Sequence, residues 1–414
     1  MKKIKYLILI FIIFNVIINA SGGSLYSRYA VGDMMYNSSA RVFSMGGLGT
    51  ALQNFDYLSD YNPANWNRIN STRIEANLFV NGISIKDNTN KSTYFKALFN
   101  GFKIGFPIER ELGASLVFGL SPESFVQYET VEQKVNSAID NYTTRYEGNG
   151  GISKIFFGSS LKLPFDFIIG ASYDYYFGTI ENNSSLEFVD GSVYEDALVR
   201  RKKEFKGMGY TLGLLTPDFS SIFSSEKIKD LHIGVSFKYT ANLKTDTSLI
   251  SGSLLGTKII ERLSVYTHIP YRFGVGLSFI WDDNYLLIAD YMYQPWTKYS
   301  FDNKLSDNFQ DVHKVSIGIE HRNTASRFST FADQIILRGG LSYEKSQYKF
   351  NGTGINQFSV TTGLSFPLSY ENTIDVGFLL GFRGTQENNL LKETLYNLAV
   401  SISFGELWFL RQDR

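Results

Sequence analysis

The sequence predicts an all-β fold: a transmembrane antiparallel β-barrel of about fourteen strands preceded by an N-terminal plug, or hatch. Three observations carry the prediction. The chain opens with an export-type leader. No apolar run after the leader reaches the ~20 residues that a helix needs to cross a bilayer. Most of the remaining length alternates apolar with small or polar residues, the period of a strand whose two faces meet different surroundings.

Met1–Ala20 reads as a cleaved secretory signal peptide. Lys2, Lys3 and Lys5 form a basic start, Leu7–Phe14 is unbroken and apolar, and small Ala20 closes a cleavage site. The stretch is too short and wrongly flanked for a stable span. The expected domains are residues 1–20 as leader, 21–70 as an N-terminal segment and 71–414 as barrel. The expected location is the bacterial outer membrane.

Composition narrows the class. Aromatic residues reach 15%, with 26 Tyr and 34 Phe, and Gly is frequent at 36 while Pro is scarce at 8. An exported chain of this kind without long apolar runs fits an outer-membrane barrel. The absence of Cys excludes a disulfide scaffold, a cysteine metal site and a lipid-bearing N-terminal cysteine. Removing the three leader lysines from the 40 basic residues leaves a slight excess of the 40 acidic ones, which is no nucleic-acid binder.

The strands follow from alternation and turn residues. In the chain's first half they are expected at Arg73–Ile85, Thr93–Phe106, Leu112–Val131, Thr143–Leu163, Phe167–Phe188, Leu198–Leu215 and Leu231–Ile250. In the second half they are expected at Lys258–Trp281, Tyr285–Tyr299, Val312–His321, Gln334–Phe350, Gln357–Phe366, Thr373–Arg383 and Lys392–Leu410. Ile233, Val235, Phe237, Tyr239, Ala241 and Leu243 take one face, against Gly234, Ser236, Lys238, Thr240, Asn242 and Lys244. Val315, Ile317 and Ile319 alternate likewise with Ser316, Gly318 and Glu320. Glycine and serine opposite the large residues leave room in the lumen.

Pro164-Phe165-Asp166 and Asp282-Asp283-Asn284 are short polar turns of periplasmic type, which puts both termini in the periplasm. The strands between about residues 140 and 280 exceed the ~10 residues a bilayer requires and should project as an outer rim. Trp281 and Trp408 end strands on one expected side and suit an aromatic girdle at headgroup level.

Residues 21–70 do not alternate. Gly46, Gly47 and Gly49 lie in a small-residue stretch that lacks the strand and lysine of a nucleotide loop and suits a turn or close packing on a barrel wall. Asn62 is a good N-cap and Pro63 suits a first helical position, so Asn62-Pro63-Ala64 should open a short helical turn through Trp66. The segment reads as a compact plug in the lumen.

With Met45-Gly46-Gly47-Leu48-Gly49-Thr50-Ala51, then Asn62-Pro63-Ala64, then about fourteen strands, the chain resembles the FadL-type outer-membrane transporters of hydrophobic compounds, the FadL/TodX-like barrels. Glu406-Leu407-Trp408-Phe409 is similar to the closing strand of FadL-like proteins of the Bacteroidetes. The resemblance implies that Gly46, Gly47, Gly49, Asn62, Pro63 and Ala64 belong to a hatch. It also implies a kinked third strand that opens the wall sideways for exit of a fatty acid-like molecule. Independently, Gly119 lacks a side chain and Pro122 an amide hydrogen, so regular pairing should fail near them.

No chemistry of an enzyme is legible. His232, His268, His313 and His321 have no metal-helix spacing, and no nucleophile elbow occurs. Catalytic residues, metal and cofactors are therefore expected to be none. Asp282-Asp283 reads as a solvated turn. Arg200-Arg201-Lys202-Lys203 reads as a charged strand edge able to attract lipopolysaccharide. The expected partners are a hydrophobic small molecule, outer-membrane lipid and lipopolysaccharide, and the barrel-assembly machinery that inserts such proteins. The expected function is passive transport of long-chain fatty acids or similar compounds. The alternatives are a FadL-like assembly barrel in type nine protein secretion, since the fold does not fix the role, and a general diffusion porin.

Overall fold

The computed structural model describes residues 23–87, 90–134, 141–188, 194–222, 225–253, 256–322, 331–369 and 371–406. The leader Met1–Ala20 and Trp408 lie outside the described residues.

Among the described residues, fourteen strands form one antiparallel meander. The first seven are β1 (Thr72–Lys86), β2 (Lys91–Glu109), β3 (Ala114–Lys134), β4 (Tyr142–Lys162), β5 (Ile168–Phe188), β6 (Ala197–Leu215) and β7 (Ile228–Thr240, then Leu243–Ser253). The rest are β8 (Gly256–His268, then Arg272–Trp281), β9 (Tyr285–Gln294), β10 (Val312–His321), β11 (Ile336–Phe350), β12 (Thr353–Pro367), β13 (Thr373–Gly384) and β14 (Lys392–Glu406). β14 closes the barrel on β1, with Lys392 opposite Lys86 and Glu406 opposite Thr72. Closure removes the sheet edges that a bilayer cannot satisfy.

The two faces separate as the alternation requires. On β10, Val315, Ile317 and Ile319 are 50%, 52% and 41% exposed, while Ser316 and Glu320 are at 2% or less. The outer face is an apolar belt. The inner face is buried because the lumen is full: the segment from Ser24 to Ser71 folds inside it, with Leu48, Leu52, Tyr57, Tyr61 and Trp66 buried.

Small wall residues make that fit possible. A side chain on Gly340 (β11) would stand 2.6 Å from the Met45 carbonyl carbon and 2.7 Å from the Gly46 nitrogen. On β6, a Cβ at Gly213 would lie 1.9 Å from Asn62 Oδ1. Gly46 itself has φ +90°, a left-handed turn residue pressed against Ser316.

Three strand expectations need correction. β7 is not continuous: pairing breaks at Ala241-Asn242 and resumes one residue out of phase, so Leu243 points inward and is fully buried rather than sharing the face of Ile233. β8 likewise breaks between His268 and Arg272, where Pro270 cannot donate to a ladder. β9 stops at Gln294 instead of Tyr299, because Pro295 leads into a 3₁₀ turn, Trp296–Lys298, that buries Trp296 in the lumenal core.

The barrel is taller on one side. β3, β4 and β5 run for 21 residues, against 10 for β9 and β10. About ten tilted residues cross a bilayer, so the long strands form a one-sided wall above the belt.

Gly340→Val should cost about 1–3 kcal/mol by overpacking against Met45. The expected result is faster hydrogen exchange in residues 40–52 with unchanged heat-modifiable gel mobility of the barrel. Unchanged exchange would contradict the packing described.

Candidate functional site: a lumenal cavity beside an interrupted wall

Between β2 and β3 the pairing ends well short of the top of β3. Their ladder runs from Glu109 opposite Ala114 to Phe102 opposite Leu120 and then stops. On β3's other side pairing with β4 continues past the break, with Pro122 opposite Ser153 and a register shift before Ser124 opposite Ile152. Pro122 has no amide to offer. The shift makes Glu123 a bulge residue, and its buried carboxylate points into the lumen onto Lys238 of β7. Gly119 still pairs on both sides, with Lys103 and Phe156; a side chain there would strike the Phe156 ring at 2.4 Å.

The N-terminal segment occupies the edge that β2 leaves. Asp33 and Met34 pair antiparallel with Phe125 and Ser124. Met35 N donates to Glu123 O at 2.9 Å, and Ser27 Oγ exchanges hydrogen bonds with the Gln127 backbone at 3.0 Å. This short added strand satisfies backbone groups that would otherwise face the gap.

Polar contacts hold the added strand from behind. Arg383 (β13) donates to the two Asp33 oxygens at 3.1 and 3.2 Å and to Glu393 (β14) at 2.6 Å. Tyr348 Oη donates to Asp33 at 3.0 Å and Gln347 to Gly32 O at 3.1 Å, both from β11. Behind the strand lies a cavity of about 130 Å³. Met34, Met35, Phe43, Phe79, Ile83 and Phe125 supply apolar lining, and Lys314, Glu344, Arg383 and Asp33 supply charged lining. Leu379, which interrupts the inner face of β13, lines it too.

A second cluster anchors the segment to the opposite wall. Arg41 pairs with Asp56 within the segment and with Glu320 of β10 at 2.9 Å. Arg338 (β11) bridges Glu320 at 2.7 Å and Asp375 (β13) at 2.6 Å, and Arg322 reaches Asp56 at 3.3 Å. Burial alone would raise the Asp56 carboxyl; the Arg41 and Arg322 guanidinium groups hold it far below the usual carboxylate range. Lys103 (β2), fully buried, pairs with Glu75 (β1) at 3.0 Å and donates to Leu58 O at 2.5 Å. Asp290 (β9) accepts from Gly49 N at 3.0 Å and Thr50 N at 2.8 Å.

The sequence-derived site residues fall as follows. Gly46 and Gly47 line the cavity, and Gly49 gives its amide to Asp290. Asn62 caps the 3₁₀ turn Pro63–Arg68 by accepting from Ala64 N at 3.0 Å, and donates to Thr50 O at 2.7 Å. Pro122 lies at the break; Gly119 lies below it, in paired strand. Trp281 ends β8 at 47% exposure, its ring 6.0 Å from Tyr285. Trp408 is outside the described residues. His232 contacts Thr216 O and Asp230, and among the described residues no cluster suits a metal ion.

Sequence reasoning missed Asp33, Arg41, Glu123, Lys238 and Arg383. The available signal was charge at inward positions: Glu320, Lys238 and Arg383 each fall on the small-residue face of an alternating strand, where a filled lumen must supply a counter-charge.

A closed barrel with an apolar belt, an interrupted wall at the third strand and a filled lumen defines a transmembrane barrel of the outer-membrane type. The chain belongs to the BamG family, whose model matches residues 1–413. No curated protein matches it in sequence. Its fold is that of the FadL/TodX barrels. The toluene transporter TbuX of Ralstonia pickettii superposes with a TM-score of 0.60 at 16% identity, covering 90% of this chain and 99% of that one. A FadL homologue of Pseudomonas aeruginosa gives 0.58 at 11% identity, covering 90% and 98%. The toluene transporter TodX of Pseudomonas putida gives 0.56 at 15% identity, covering 90% and 99%.

Arg41→Met should destabilise the lumenal packing by about 3–5 kcal/mol, because it leaves buried carboxylates short of a partner. The pH dependence follows from the lowered Asp56 carboxyl. Its stabilisation is complete above the unfolded value of about 3.9 and is lost as pH falls through the native value. Hydrogen-exchange protection of residues 41–59, taken relative to the intrinsic rate at each pH, should therefore be flat from pH 7 to 5 in the wild type. In Arg41→Met the loss should begin at higher pH.

Proposed function

We propose that this protein resides in the outer membrane and passes hydrophobic compounds through its wall. In this reading residues 1–20 are a cleaved leader, residues 21–70 are a hatch and residues 71–414 are the barrel. The tall wall faces outward and Trp281 marks the periplasmic headgroup level. The observation that carries the reading is a partly apolar cavity lined by Met34 of the added strand and Phe125 of the β3 edge that this strand covers at the β2–β3 gap. A compound leaving there enters lipid rather than water, and burial of its apolar surface favours the step. Resemblance in fold to toluene transporters and a FadL homologue supports this reading. The substrate proposed is a long-chain fatty acid or a compound of similar apolarity.

The experiment is uptake of a labelled long-chain fatty acid, and separately of toluene, by cells lacking their own transporter. Uptake above empty-vector cells is expected for at least one, and Pro122→Thr should lower it at least about threefold while the barrel still folds. A folded protein that transports neither would sink the reading.

A second reading is favoured by the family itself. The name BamG points to barrel assembly, and a lumen held by buried ion pairs also suits a barrel that works as a scaffold. Its mark would be stable association with the barrel-assembly machinery in native membranes, with other barrels lost on depletion.

A further inference from the structure

The tall wall ends in an edge that nothing described covers. The upper part of β8, Gly256–His268, pairs on one side with Leu243–Ser253 of β7. On the other side Thr267 and His268 pair with Phe301 and Ser300, and Asp302 N donates to Tyr266 O at 3.0 Å. From Gly256 to Val265 no described residue pairs with that side. The edge therefore already accepts an antiparallel strand at its base and is open above it. Its side chains are exposed, with Ile260 at 59% and Leu263 at 51%.

Register fixes what lies beside this edge. Across β6, β7 and β8 the outer face carries three rows: Lys202, Ser248 and Arg262; Glu204, Asp246 and Ser264; Lys206, Lys244 and Tyr266. The middle row holds both acids, and Ser264 Oγ donates to Asp246 at 2.7 Å. The flanking rows are cationic, and Arg262 has no ion pair among the described residues. The alternate residues Leu263 and Val265 face the other way. Charged rows do not sit in hydrocarbon, so this edge stands clear of the bilayer core.

We propose that the free edge of β8 is a docking site for an extended, acidic segment of a partner protein, which adds as an antiparallel strand. Unpaired edge amides and carbonyls supply the ladder. A carboxylate opposite Arg262 extends the first row, and apolar residues on either side of it cover Leu263 and Val265; the third row is already closed by Asp302, whose amide is bonded to Tyr266.

The test uses the full chain in detergent micelles and a fluorescein-labelled peptide, Thr-Val-Glu-Val-Thr-Val-Glu-Val-Thr-Val. Two controls replace both glutamates by lysine, or methylate alternate backbone nitrogens to block the ladder. Saturable binding of the glutamate peptide is expected, about tenfold tighter than the lysine peptide, as exchanging a repulsive cross-strand pair at Arg262 for an attractive one would give. Methylation should abolish it. Arg262→Glu should reverse the charge preference while leaving heat-modifiable gel mobility intact. Equal binding of all three peptides, an unmoved preference in Arg262→Glu, or no saturable binding would overturn the proposal. Lipopolysaccharide retention that depends on Arg262, with no peptide bound, would also overturn it and assign the rows to a phosphate-bearing lipid.

Discussion

The ion pair between Arg41 and Glu320, tied to Asp56 and Arg338, is the interaction on which the rest of the molecule depends. A barrel wall turns every second side chain inward. When those side chains are carboxylates and guanidinium groups in a lumen closed to solvent, each must find an opposite charge or bear a heavy desolvation cost. An apolar filler would not satisfy Glu320, Arg338 and Asp375 together, two carboxylates to one guanidinium. A segment carrying Arg41 and Asp56 at the right height does. The wall thus selects its own occupant, and glycines such as Gly213 and Gly340 let the backbones approach closely enough for the charges to meet.

The same logic operates on the backbone at the gap. β3 parts from β2 above Leu120, and its amides and carbonyls need partners at a depth where lipid offers none. Asp33 and Met34 provide them by pairing with Ser124 and Phe125. The bulge at Glu123 directs a carboxylate to Lys238 rather than into the bilayer. Interruption and cover are therefore one device. Two residues of ladder form a modest seal, and the charge contacts through Arg383 restrain it from behind.

Much of this was legible in the sequence. Strict alternation at Ile233–Thr240 and Val315–Glu320 set the faces, because period two leaves no ambiguity about which side a residue takes. Asn62-Pro63 marked a turn that is now seen as Pro63–Arg68, because capping chemistry is local. What failed was also local in appearance but tertiary in cause. The phase slip at Ala241-Asn242 follows from pairing with two different stretches of β6, above and below the break, which no window of sequence contains. The pairing of Asp33 with Phe125 joins residues far apart in the chain, and a two-residue strand has no periodicity to detect.

Passage and assembly make different demands on one geometry. A passage requires the cover at the gap to leave its edge, so the Asp33 contacts must be weaker in sum than the binding that displaces them. A scaffold requires the reverse: a lumen that never opens and an outer surface that presents partners with a fixed shape. The anchoring is uneven in a way that admits both. The Arg41 cluster ties the middle of the segment to β10, β11 and β13 through a connected set of ion pairs, whereas the stretch at the gap is held by a two-residue ladder, the Arg383 ion pair and separate hydrogen bonds at Ser27, Gly32, Asp33 and Met35. On the transport reading, the segment need not leave the barrel for the wall to open. The physical question that separates the two roles is then the free energy of one short strand on the edge of β3, not the stability of the barrel.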